Sequence, residues 1–120
     1  MKGTLIAESL RVGSDLRTLR LVVTEIRRFA TSDLPEYQPP VWTVLELEAD
    51  DVSAEQLAAS LATALNEPGW YANFSTSDET FVVYPNQIFR YPRHDQHGRE
   101  VAQPHGRTLG VPEPQLDWGE

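Results

Sequence analysis

The sequence predicts an α+β domain: an antiparallel, twisted sheet in the chain order β-β-β-α-β-β, with room for a sixth short strand and one helix packed on one face. Three observations predict it. "VWTVLELEAD" (41–50) alternates apolar and polar residues with the period of a strand. Leu57, Leu61 and Leu65 recur every four residues, the period of a helix stripe. "GWYANF" and "TFVVYPNQIFRY" then return to aromatic and β-branched residues separated by turn signals.

Along the chain, "TLIAESL" (4–10) is rich in strand formers and predicts the first strand. "LRTLRLVVTEIRRF" (16–29) alternates Leu19, Leu21 and Val23 against Arg20, Val22 and Thr24, the period of a half-buried strand, and its apolar parity switches at Ile26. That switch predicts a bulge near Thr24–Glu25. "SDLPEYQPP" (32–40) carries three prolines and reads as a loop. In the helix Ser53 stands at the N-cap and Gln56 three residues later in capping-box spacing. Ala54, Ala58 and Ala62 back the leucine stripe, and "NEPG" (66–69) stops it.

A hairpin over 70–74 and 81–85 pairs Phe74 with Phe81 and Ala72 with Val83. "YPNQ" (84–87) is a tight turn that returns Ile88 beside Val83 and Phe89 beside Val82. The predicted core is Leu21, Val23, Leu45, Leu47, Leu57, Leu61, Leu65, Trp70, Phe74, Phe81, Val83 and Ile88. Residues 1–93 make one domain. Residues 94–120 are Pro/Gly-rich and read as a C-terminal segment packed on the sheet, with "GREVAQ" able to start a helical turn.

Composition narrows the function classes. The chain has no cysteine, which excludes disulfides, thiolate catalysis and cysteine-ligated metal. Its N-terminus lacks the apolar run of a signal peptide, and no stretch is long and apolar enough to span a bilayer, so a cytoplasmic protein without a membrane partner is expected. Net charge is −8, and Phe29 to Phe89 holds ten acids with no Lys or Arg. Nucleic acid would be repelled by such a surface and a basic partner attracted.

The candidate sites follow from residue type and spacing. Neutral imidazoles bind transition ions, so His94, His97 and His105 are candidate metal ligands, with Asp95 and Glu100 nearby. They lie in a Gly/Pro-rich segment, with no predicted helix to align them. Glu46, Glu48 and Asp50 share one strand face and read as a solvated edge. No nucleophile elbow surrounds Ser53, Ser75 or Ser77, and no phosphate-binding glycine loop is present. Tyr71, Tyr84, Phe89 and Tyr91, with Val82, form an aromatic back to the final meander that must be covered, either by the chain's own C-terminal segment or by a partner. Arg90 and Arg93 stand at its rim.

At "PPVWTVLELEAD", "GWYANF" with "TFVVYPNQIFRYPR", and "GRTLGVPEPQLDW", the chain resembles a family of small, uncharacterised actinobacterial proteins with no assigned function. The resemblance implies no site residue and no cofactor. It implies a stand-alone bacterial cytoplasmic protein whose C-terminal segment is a regular part of the fold.

The expected function is that of a small, acidic, non-catalytic interaction protein. It would meet a protein partner, basic in one variant as for an inhibitor or immunity-like protein, or a second copy of itself, through Tyr71, Tyr84, Phe89, Arg90 and Tyr91. No cofactor is expected. Two other readings stay open: a metal-dependent hydrolase using the three histidines, and a small-ligand carrier with a pocket between sheet and helix.

Overall fold

The computed structural model describes residues 1–17 and 19–119. Its six strands are β1 (Lys2–Ile6), β2 (Val22–Ala30), β3 (Val41–Glu48), β4 (Ala72–Ser75), β5 (Glu79–Tyr84) and β6 (Gln87–Pro92). They form one antiparallel sheet in the spatial order β2-β3-β1-β4-β5-β6. Helix α1 (Ala54–Ala64) joins β3 to β4, and α2 (Gln96–Thr108) follows β6. The sixth strand is therefore present, and the sheet carries two helices rather than the expected one.

The helices lie on opposite faces because successive strand residues point to opposite sides. Phe81 and Val83 of β5 join Leu57, Leu61 and Leu65 in a cluster with Leu5, Leu47 and Phe74. Val82 and Tyr84 join Tyr91, Ala102, Val111, Leu116 and Trp118 in a second cluster on the other side. The expected pairings Phe74–Phe81, Ala72–Val83, Val83–Ile88 and Val82–Phe89 all form. Asn86 takes φ +61° in the turn after Pro85, the left-handed position that asparagine tolerates well. The bulge also forms: register shifts between Val23 and Glu25, and the Thr24 hydroxyl donates to the Glu46 carbonyl at 3.3 Å.

Several expectations need correction. The first strand ends at Ile6, and residues 7–9 form a 3₁₀ turn closed by the Ser9 hydroxyl donating to the Ile6 carbonyl at 2.6 Å. The strand expected from residue 16 starts at Val22; within that expected strand, Thr18 lies outside the described residues, as does Glu120 of the C-terminal segment. Leu16, Leu19 and Leu21 instead pack against the α1 cluster from an irregular segment. Ser53 holds the N-cap position with helical backbone angles and makes no side-chain capping bond, because a 3₁₀ turn over Asp51–Ser53 leads into α1. Val23, expected in the core, is 46% exposed, since β2 is the edge strand beyond the reach of α1.

The largest departure is α2, thirteen residues where glycine and proline suggested at most a helical turn. Asp95 caps it, accepting from the His97 N–H at 3.2 Å. Gly98, Ala102 and Gly106 fall four apart, one face of a helix. A Cβ on Gly98 would lie 2.4 Å from Tyr91 Cβ, and one on Gly106 would lie 2.8 Å from Tyr84 Oη. The glycines that resemble breakers are the residues that let this helix lie close on the tyrosines.

Glu8 ties the turn after β1 to β3. Its carboxylate accepts from the Thr43 N–H at 2.6 Å and the Thr43 hydroxyl at 2.9 Å. Burial pushes its pKa up, but the bonds from Thr43, with Arg28 nearby, outweigh burial and hold it below the usual 4.5. A carboxyl lowered in the folded state contributes stability that is complete above its unfolded value and is lost as pH falls through the folded one. Glu8→Gln is expected to cost about 1 kcal/mol at neutral pH and to flatten the fall in stability below pH 4.5. Urea unfolding across a pH series measures both.

Candidate interaction surface

The aromatic back of the meander is covered by the chain's own C-terminal segment. Tyr84 is fully buried, and its hydroxyl donates to the Ala102 carbonyl of α2 at 2.9 Å. Tyr91 is buried and its hydroxyl accepts from Trp118 Nε1 at 2.8 Å. Tyr71 packs edge-on against Trp118 at 5.4 Å, and its hydroxyl donates to the Gln115 carbonyl. Burial pushes the Tyr71 and Tyr84 phenols well above their ordinary range, so both stay neutral. Phe89 is half-buried, in contact with the rings of both Tyr84 and His105, which also meet each other. Arg90 lies on the opposite face, beside its pairing partner Phe81. Its guanidinium sits 4.8 Å from the Phe81 ring centre and bonds the carboxylates of Glu79 and Glu55 at 2.7 and 2.8 Å. Four of the five candidate binding residues thus serve the second core, and Arg90 fastens β6 to β5 and α1.

The histidines are not brought together. His94 is exposed at φ +66° before α2, His97 is exposed in its first turn, and His105 lies half-buried one face further along against Tyr84. Among the described residues, no three His, Cys, Asp or Glu side chains converge as a metal site. The space between sheet and α1, lined by Leu5, Leu57, Leu61 and Phe74, amounts to about 10 Å³. That is room for one water at most, far below what a carried ligand needs.

Four acids of the acidic block are answered by bases from outside it. Arg27 bonds Glu46 at 3.1 Å, Lys2 lies 3.6 Å from Glu48, and Arg90 takes Glu55 and Glu79. Glu79 titrates below its usual range because of Arg90. Asp51 accepts from the Ser77 N–H at 3.0 Å, tying α1's lead-in turn to the β4–β5 loop.

One surface has no cover among the described residues. Every residue of β2 is exposed, including Val22 at 60%, Ile26 at 65% and Phe29 at 43%. The strand bonds β3 on one side only, and both helices pack over the far end of the sheet, α1 against β5 and β6, α2 against β6. Phe29 pairs with Trp42, which forms one wall of a 230 Å³ trough with Ile6, Trp70, Tyr71 and Gln115. On the same face as Phe29, Glu25 and Arg27 form an ion pair at 3.1 Å. Sequence reasoning missed this surface: the alternation predicted a half-buried strand with Val23 in the core, whereas all of β2 is exposed.

The geometry defines an α+β protein built on an open six-stranded antiparallel sheet, with a helix on each face and one long, bare edge. No protein-family model, no curated protein and no solved structure matches the chain. No described helix is long and apolar enough to cross a membrane.

Proposed function

We propose that this chain is a small non-catalytic interaction protein that docks by strand addition at β2. One observation carries the reading: nine consecutive residues form an edge strand with both faces and the outer backbone edge open. An unpaired edge of that length offers a row of N–H and C=O groups to an incoming strand, and proteins that do not use such an edge usually shorten or cover it. The opposite edge is treated that way. β6 has six residues, ends at Pro92, and places Arg90 in ion pairs.

Site-directed photo-crosslinking tests the reading. The photoreactive residue benzoylphenylalanine at position 26, irradiated in native extract, is expected to give an adduct of discrete mass. Adding Phe29→Asp to the probe-bearing chain should abolish it. The same probe at exposed Glu36, in the β2–β3 loop, is the control. Absence of an adduct at 26, or equal adducts at 26 and 36, overturns the reading.

A further inference from the structure

We infer that the strand added to β2 is β2 of a second copy, antiparallel, with the two-fold axis through Ile26. This rests on the reading of β2 as the docking edge and names its occupant. A two-fold normal to the sheet keeps each side chain on its own face, so the axis must pass through a residue position rather than between two. Overlap of the strands and the bulge at Thr24 limit the centre to residues 25–28, and charge separates those four.

An axis at Arg27 or Arg28 sets guanidinium against guanidinium, and one at Glu25 sets carboxylate against carboxylate. Like charges directly opposite are unfavourable in an antiparallel pair. An axis at Ile26 sets Glu25 opposite the partner's Arg27, Arg27 opposite the partner's Glu25, and Ile26 against its own copy. Both ion pairs lie on the face where Glu25 and Arg27 already meet at 3.1 Å. Beyond the Thr24 bulge, Val22 and Phe29 of the two copies fall on that same face. Ile26 is also the midpoint of Val22–Ala30, so this register overlaps the strands along their length. The product is a continuous twelve-strand sheet, twice the six strands of one copy.

Sedimentation velocity on the full chain over a concentration series tests it. The mass is expected to rise from one chain to two. Glu25→Arg alone and Arg27→Glu alone each oppose like charges and should weaken the dimer roughly tenfold. The double variant E25R/R27E restores both pairs, keeps a base beside Glu46, and should recover dimerisation. The chain has no cysteine, so Ile26→Cys provides a second measurement that leaves the charges intact. Mild oxidation should give a covalent dimer, while Val101→Cys on exposed α2 should not. A mass of one chain throughout, or a dimer unmoved by either single swap, overturns the inference. In the first case a position-26 adduct of another mass leaves the strand-addition reading standing; with no adduct either, both fall.

Discussion

Phe81→Ala is expected to lower the free energy of unfolding by about 3–5 kcal/mol. Phe81 is 2% exposed and lies in the central layer of the α1 cluster. Its ring stacks on Phe74 at 5.0 Å and carries the Arg90 guanidinium at 4.8 Å. Truncation removes the buried surface, leaves a cavity flanked by rigid strands, and takes away the platform beneath Arg90. The neighbours available to fill the gap, Val83 and Leu61, are themselves held on regular elements. Urea unfolding at neutral pH measures the loss. A cost below about 1 kcal/mol would mean that the cluster closes over the gap, contrary to the packing described.

The second large effect concerns α2. Gly98→Ala is expected to destabilise by about 1–3 kcal/mol, although alanine inside a helix normally gains about 1 kcal/mol over glycine. The added Cβ would lie 2.4 Å from both Cβ and Cγ of Tyr91, atoms that rotation of the ring cannot move away. Gly106→Ala is the informative comparison. Its Cβ meets Leu116 Cδ2 at 2.7 Å and Tyr84 Oη at 2.8 Å, both at the far ends of side chains. Those ends can shift, so its cost should be smaller than that of Gly98→Ala. Thermal melts rank the two variants, and limited proteolysis between residues 96 and 119 reports whether the helix has lifted from the sheet. Equal stability of Gly98→Ala and wild type would remove close helix–sheet approach as the reason for glycine there.

The readable parts of this fold are those whose causes are local. The α1 stripe, the 84–87 turn and the register of the 72–92 meander rest on spacing and turn chemistry within a few residues. The bulge at Thr24 showed itself as a parity switch in one strand. Helix α2 was harder to read because its residues have poor intrinsic helix preference. Gly98, Pro104 and Gly106 are tolerated only because the tyrosine face it lies on demands small residues. An aspartate cap at 95 followed by small residues four apart was the available signal. The tyrosines were read as a layer needing cover, and only the packing of the C-terminal segment decided between that segment and another molecule.

By itself the sequence determined the strand faces, the leucine helix, the absence of thiol chemistry and the aromatic layer that could not stay wet. These follow from periodicity and composition, which every folded arrangement of the chain must respect. Only the tertiary structure decided strand order, and strand order decided exposure. Inserting β1 between β3 and β4 carries β2 to the rim, beyond both helices, so Val23, expected in the core, lies open together with Val22 and Ile26. It likewise brought Arg27, Lys2 and Arg90 onto the acids of a block that holds no base of its own. Burial and charge pairing depend on neighbours distant along the chain, and no local pattern encodes which neighbours those are.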